Sequence, residues 1–585
     1  MLKYLITIFG IILFSTVFIV ENDIPSGTIE SKNYGFLLIA IPAVISLLFI
    51  SLFTDNLKIQ IHYLDIFLVI FLAWVFINSL LIKQISPSIG FYTFAYSITL
   101  SLLFKQFLKN NPNYLFIFCG AFLFIGGLQA ILGLSQLYGF QKSFHQIFKV
   151  TGTMHNPGPF GIYVAAVLCF AFGNYIFNTN KIIKNLAGIV GLVCFLILPS
   201  TQSRSAWVAV LMGVIYLIFA KYGSEYIKKY FTNKYINLFL IIVLFGLGIL
   251  GYFFKANSAL GRLLSWRVGI EMVKQKPVTG IGYGEFHYQY GFYQADFFKN
   301  NPNETTFINL ADRNEYAFND YLQILIENGF IGFSLFIIIV SIILLSKPTG
   351  VVRDYFYPSK ALIIVILCAS CFSYPFELIS HWWVLVFFIG LVSSALDNNY
   401  EYSLQSKPVK LSGMIVSGIL SIFLIRHTIV EYKAKQIWYQ ADTSMKAQDF
   451  NNAITLYKDV LIRMPKENAV LLGYGKALYM NGQIKESLSI LEKASQKIAD
   501  PFLMRNLGEA YQAVHNYNMA EKAYVQSSYM IPNVMLPKYL LAKMYLQKQD
   551  TIKAKQIAKQ IIKMPVKITS RATVQMKNEM ENLLK

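Results

Sequence analysis

Tyr114-Leu-Phe-Ile-Phe-Cys-Gly-Ala-Phe-Leu-Phe-Ile-Gly-Gly-Leu-Gln-Ala-Ile-Leu-Gly-Leu-Ser-Gln136 runs for twenty-three residues without a charge. Wound as a helix, a run of that length matches the roughly 30 Å hydrocarbon core of a bilayer. Comparable runs lie near 4–20, 35–53, 64–82, 88–104, 160–178, 185–198, 206–220, 237–254, 324–345, 361–377, 378–396 and 412–425. The expected fold is all-α: a polytopic bundle of about 12–13 transmembrane helices. No small-x-small cleavage site precedes Glu21, so the first run reads as a retained anchor.

Composition agrees. Of 585 residues, 55% are hydrophobic and 14% charged, too little polar surface to cover a soluble domain of this size. The net charge of +20 does not point to nucleic acid, because Lys and Arg are scattered over short loops and the last 150 residues instead of forming one basic stripe. Cys119, Cys169, Cys194, Cys368 and Cys371 sit in apolar runs and support neither a disulfide framework nor a zinc site.

Placing the N-terminus inside puts Lys105, Lys109, Lys181, Lys184, Lys221, Lys228, Lys229, Lys234, Lys347, Arg353, Lys360, Lys407 and Lys410 on the cytoplasmic side. The opposite, external side then receives loop 137–159, the Ser200–Ser205 turn and a long excursion from Lys255 to Gln323. An odd number of spans also sends the C-terminal domain there. His62 and His381 near span ends, and Trp382 with Trp383, read as interfacial residues.

After Arg426 the apolar runs give way to mixed helical periodicity. Ala453, Tyr457 and Pro465 are answered by Ser487, Leu491 and Ala494, then by Ala520, Tyr524 and Pro532, then by Ala554 and Ala558. Gly475, Gly508 and Ala542 are equivalent in the first helices. This spacing of about 34 residues resembles tetratricopeptide repeats, an α-solenoid in which a small residue admits the large one of the paired helix. Such arrays offer a surface to a protein partner. The expected domains are 1–428, membrane-embedded with its external loop 255–323, and 429–585, the repeats.

The residues suited to chemistry lie in the external segments. His155 and Asn156 in Thr151-Gly-Thr-Met-His-Asn-Pro-Gly158 are polar groups able to face a cavity, although Asn-Pro-Gly is equally turn chemistry before a helix. Arg204 in Ser203-Arg-Ser-Ala-Trp207 either snorkels to headgroups or aims its fork at a diphosphate. Gly261-Arg262 opens an amphipathic helix, and Arg267 lies far around it from the Arg262 face. That helix ends at Lys276-Pro, where Gly280, Gly282 and Gly284 let backbone approach a ligand. No Gly-Lys-Ser/Thr follows, so this is not a Walker loop.

In this order and spacing, the segments 151–157, 203–207, 261–266, 277–286 and Ala317-Phe-Asn-Asp-Tyr-Leu-Gln323 with Glu327-Asn-Gly-Phe-Ile-Gly332 resemble the O-antigen ligase and polymerase superfamily, which includes bacterial O-oligosaccharyltransferases. The resemblance covers about 120–335. It implies a metal-independent enzyme of the bacterial inner membrane, needing no cofactor, that takes a glycan from undecaprenyl diphosphate to an acceptor hydroxyl at the periplasmic face. The acceptor is lipid A core, another surface molecule or a protein. Arg204 and Arg262 would bind the diphosphate and neutralise the charge that builds as the glycosidic bond breaks. His155, Asn156, Arg267, Gly282, Gly284, His287 and Asn319 would line the substrate site.

The chain departs from the family at one place. Many members carry His before the Asn of the last motif, and here that residue is Phe318, which cannot accept a proton. Three explanations stand: Glu315, Asp320, His287 or Asp312 substitutes, with Asp320 nearest in sequence; positioning and phosphate stabilisation suffice without a base; or the protein binds a lipid-linked glycan without transferring it. A polymerase, using a second lipid-linked repeat as acceptor, and a non-catalytic envelope scaffold remain open alternatives. A transporter fits less well, since the charges gather at one face and the spans show no duplication.

Overall fold

The computed structural model describes residues 2–52, 57–231, 256–348, 353–397, 400–566 and 569–585. A backbone in hydrocarbon must satisfy its own hydrogen bonds, and the apolar runs accordingly become helices. In chain order these are α1 (Leu2–Ser15), α2 (Gly27–Leu52), α3 (Tyr63–Phe76), α4 (Ile89–Asn110), α5 (Tyr114–Leu137), α6 (Pro157–Phe177), α7 (Lys181–Ile197) and α8 (Arg204–Phe231). The excursion holds α9 (Ala256–Gln275), α10 (Phe286–Asn300) and the single turn α11 (Thr305–Ile308). Then come α12 (Asp320–Leu345), α13 (Arg353–Ser370), α14 (Ile379–Ser394) and α15 (Lys407–Lys446). Among the described residues, eight helices are long and apolar enough to cross a membrane, and two shorter apolar helices, Lys3–Phe18 and Ile379–Ser394, accompany them. This is a multi-pass membrane protein. The run expected at 237–254 lies outside the described residues.

The chain forms two units: Met1–Phe253 with Phe318–Tyr432, and Phe254–Ala317 with Lys433–Lys585. The excursion, assigned from sequence to the membrane domain, therefore belongs with the repeats as far as Ala317. The reason is apolar: Ala295 of α10 is part of the repeats' core, with Tyr288 and Phe292 packed beside it.

Within the first unit α14 packs on α4 and α13, and every residue from Ile379 to Ser394 is buried. A helix apolar on all faces belongs in a core. This corrects the interfacial reading of three residues. The Trp383 ring lies 5.5 Å from that of Phe36, Trp382 stacks on Phe94 at 5.1 Å, and the buried His381 sets Nε2 2.9 Å from the Pro159 carbonyl. His62 caps α3, its side chain accepting from the Leu64 amide.

Lys105 is another departure. Instead of lying in a cytoplasmic loop, it is buried in α4 and ion-paired with Asp65 of α3, whose other oxygen accepts from Ser393 at 2.8 Å. Replacing Asp65 by Ala would strand a buried ammonium, at a cost of about 3–5 kcal/mol. The expected result is a clearly lowered unfolding temperature in detergent. One addition to the all-α reading is an antiparallel ribbon of β1 (Leu57–Ile61) and β2 (Tyr400–Leu404), with Leu57 opposite Leu404.

The repeats run through α16 (Phe450–Arg463), α17 (Asn468–Met480), α18 (Ile484–Ser495), α19 (Pro501–Ala513), α20 (Tyr517–Met530), α21 (Leu536–Gln547), α22 (Thr551–Lys563) and α23 (Arg571–Leu584). Small meets large as the spacing requires: a Cβ on Gly475 would sit 2.5 Å from Leu491, and one on Gly508 2.6 Å from Tyr524. Ala453, Ser487, Ala520 and Ala554 are all fully buried. Left-handed residues Gln448, Gly482, His515 and Gln549 turn each helix into its partner.

Candidate functional site

The segment before α6 is clasped by buried amides. Gln136 of α5 accepts from the Thr151 and Gly152 amides at 2.9 and 2.8 Å and donates to the Gly152 carbonyl at 2.9 Å. Gly152 is left-handed (φ 55), and a Cβ there would meet the Phe160 ring at 2.5 Å. Gln129 donates to Thr153 Oγ1 at 2.6 Å, and that hydroxyl donates to the Val17 carbonyl at 2.6 Å. Lys32 of α2, only 3% exposed, gives its Nζ to the Thr153 and Thr28 carbonyls at 2.8 and 2.6 Å. Thr151-Gly-Thr is thus scaffold, and it delivers His155.

His155 is half-buried with Nε2 3.0 Å from the Tyr374 hydroxyl. Burial foremost, then the Lys32 charge, pushes its imidazole down to about 4, so the ring is neutral near pH 7. Asn156 caps α6, its Oδ1 accepting from the Gly158 amide at 3.0 Å. The Arg204 turn packs against the same helix start: a Cβ on Gly161 would lie 2.7 Å from Ser203 Cβ. Left-handed Gln202 (φ 49) ends the turn, and half-buried Arg204 opens α8.

Tyr374 faces a second neighbour. Its ring meets Phe318 edge to face, centroids 5.4 Å apart. Phe318 itself is left-handed (φ 54), a conformation that a bulky side chain rarely adopts and that His or Asn tolerates better. Asn319 caps α12 through the Leu322 amide at 3.0 Å. Asp320 is 1% exposed and accepts from the Phe376 amide at 3.1 Å. Gln323 donates to Glu377 at 2.8 Å and to Glu327 at 3.4 Å. Asp320 therefore belongs to a buried polar cluster that ties the start of α12 to the 375–377 turn. Farther along, α12 breaks at Gly329 (φ 63), and the carbonyls of Glu327 and Asn328 accept from Asn78 and Trp74 of the α3 region at 3.2 and 3.0 Å.

The other sequence-derived residues stand in the second unit. Arg262 and half-buried Trp266 are on α9, and Ser265 Oγ donates to the Ala317 carbonyl at 3.4 Å. Gly280, Gly282 and Gly284 are all left-handed (φ 69, 108 and 77), which only glycine accepts without strain. Arg267 is engaged elsewhere, paired with Glu304 at 3.0 Å and lying over the Phe307 ring at 4.9 Å. His287 and Glu315 are exposed, with the His287 ring against Tyr288. Among the described residues no group of three or more His, Cys, Asp or Glu side chains is arranged to hold a metal.

The structure thus brings His155, Asn156, Arg204, Asn319 and Asp320 into one unit and Arg262, Arg267, Gly282, Gly284, His287 and Glu315 into the other. Tyr374 and Lys32 went unread in the sequence. Tyr374-Pro-Phe-Glu377 looks like a break between spans, and Lys32 is a single charge at the mouth of an apolar run.

Comparison with known proteins agrees with these motifs. Residues 189–337 match the O-antigen ligase family and residues 444–508 a tetratricopeptide repeat family. The chain is 24% identical over 224 residues to the exopolysaccharide production protein ExoQ of Rhizobium meliloti (strain 1021), covering 36% of this chain and 49% of that one. It is 24% identical over 176 residues to anaphase-promoting complex subunit CDC16 of Saccharomyces cerevisiae, covering 29% of this chain and 21% of that one. The chain thus spans half or less of these relatives' lengths. A crystal structure of the APC/C hetero-tetramer Cut9-Hcn1 aligns over 94% of this chain and 90% of that one at 9% identity, with a TM-score of 0.24. Residues 189–337 thus resemble an O-antigen ligase domain, and the helices that follow resemble tetratricopeptide repeats.

Proposed function

We propose that the protein is a ligase-type glycosyltransferase that moves a glycan from undecaprenyl diphosphate to an acceptor hydroxyl at the periplasmic face of the inner membrane. One observation carries the reading: the match to the O-antigen ligase family spans Arg204, Arg262 and the Ala317–Gly332 motif together. The distribution of Lys and Arg supports the orientation, with the excursion and the repeats periplasmic.

The acceptor oxygen attacks the anomeric carbon, the bond from that carbon to the diphosphate oxygen breaks, and the diphosphate leaves on its lipid. Arg204 and Arg262 take up the leaving charge in forked hydrogen bonds. The acceptor proton passes to Tyr374 as Tyr374 hands its own to His155 Nε2, 3.0 Å away. This pair takes the part of the family histidine, because the Tyr374 ring packs against Phe318. Asp320, buried and committed to a main-chain amide, is a positioning residue here. The match to an exopolysaccharide production protein favours a second reading, in which the acceptor is another lipid-linked repeat.

The test offers purified protein in detergent an undecaprenyl-diphosphate oligosaccharide with lipid A core, a second lipid-linked repeat or candidate proteins. Product with release of undecaprenyl diphosphate is expected from one acceptor class, and unchanged with EDTA present, since two guanidinium forks do the neutralising. An intact donor with every acceptor overturns the proposal.

A further inference from the structure

Tetratricopeptide arrays commonly receive a segment of another protein, but in this chain the array already holds one of its own. Helix α10 packs on α20. Ala295, Phe292 and Tyr288 join a core with Leu491, Leu507 and Tyr524 of the repeats. The contact is as close as an interior: Gly291 lies so near the array that a Cβ would sit 2.3 Å from the Ala499 carbonyl oxygen. Main-chain and side-chain polar groups are matched as well. The Ala499 amide donates to the Tyr288 carbonyl at 2.7 Å, and buried Gln294 donates to the Met530 carbonyl at 2.5 Å and the Asp312 carbonyl at 3.1 Å. Asn533 donates to the carbonyls of Ile308 and Ala311, both at 2.9 Å, and Arg313 pairs with Asp500 at 3.0 Å.

We infer that the repeat array is a clamp acting within its own chain, whose ligand is the segment 286–316 and whose task is to fix the loop carrying Arg262 and the Gly280–Gly284 turn for donor binding. The loop is long, and its glycine-rich turn is conformationally permissive. Left to itself it would pay a large ordering entropy on every encounter with a lipid-linked diphosphate. Buried apolar contact and satisfied carbonyls along α10 and residues 308–313 remove that cost beforehand. The closing role in donor binding rests on the glycosyltransferase reading; the docking itself does not.

The experiment uses the full chain in detergent and compares it with Gly291→Val, whose added carbons have no room, and with the milder Asn533→Ala, which removes two hydrogen bonds. Deuterium exchange at 286–316 is read first. Affinity for a lipid-diphosphate oligosaccharide is then measured without acceptor, so absence of transfer leaves the result intact. The clamp predicts slow exchange in the native chain, at least tenfold faster exchange in Gly291→Val with a smaller rise in Asn533→Ala, and donor affinity weakened about tenfold in Gly291→Val while acceptor binding holds. Native exchange as fast as that of a free peptide would overturn the docking. Released loops that bind donor as tightly as before would overturn the clamp's role. Native protein that binds no donor would instead sink the glycosyltransferase reading, with the exchange result still deciding the docking.

Discussion

Replacing Arg262 by Ala is expected to cut turnover in glycan transfer by about a hundred- to a thousandfold, the range for losing one preorganised donor to a developing anion. The charge at stake is that of a diphosphate becoming a leaving group, and it is larger in the transition state than in the bound donor. An interaction that strengthens on the way to the transition state lowers turnover, when removed, by more than it weakens donor binding. Arg204→Ala should behave alike, since half-buried Arg204 starts α8 directly after the left-handed turn at Gln202. Lysine at either place should recover only a small part, because a point charge lacks the fork that spans two phosphate oxygens. If the two act on one leaving group, the double variant will be little worse than the worse single one. Single-turnover transfer and separate donor binding measure this. Near-native transfer by both alanine variants, at normal expression, would remove the arginines from the chemistry.

How much of this was legible beforehand depended on whether the physics is local. The membrane helices are, because hydrocarbon demands about twenty apolar residues in a row, and Tyr114–Leu137 announces itself. The repeats are too, because Gly475 facing Leu491 and Gly508 facing Tyr524 recur at a fixed period. Pairings across long separations leave no such trace. Nothing in the sequence near Gly291 or Gln294 points to Ala499 or Met530, so the loop was assigned to the membrane domain although it folds with the repeats. Lys105 counted as a loop charge because its partner Asp65 is forty residues away. Trp382 and Trp383 carried the composition of an interface belt, yet their helix is covered on every side. In the candidate site, the motifs did not disclose the structural part that each residue plays. Asn156 and Asn319 cap helices, Asp320 braces a turn, and Tyr374, 219 residues from His155, came from outside every motif.

That last pairing makes the sharpest demand on experiment. His155→Ala is expected to lower turnover about a hundredfold, within the usual contribution of a positioned proton acceptor. Tyr374→Phe should match it, since the change keeps the ring against Phe318 and removes only the hydroxyl that reaches His155. Asp320→Asn should instead keep most activity, because an amide oxygen can still accept from Phe376. The pH profile gives an independent reading. Protonated His155 cannot take a proton, so activity is lost as pH falls through its pKa; with burial holding that pKa at about 4, kcat/KM should stay level between pH 6 and 8. A limb near 6.5, the value of an ordinary histidine, would point to another group. The strained residue supplies the rescue. Phe318→His puts the family side chain into a left-handed position that histidine tolerates, beside the same tyrosine. In the His155→Ala background it should restore at least a tenth of native turnover. Full activity of both His155→Ala and Tyr374→Phe would mean that the anomeric bond breaks early enough to need no base, and that Phe318 marks a site run by the diphosphate contacts alone.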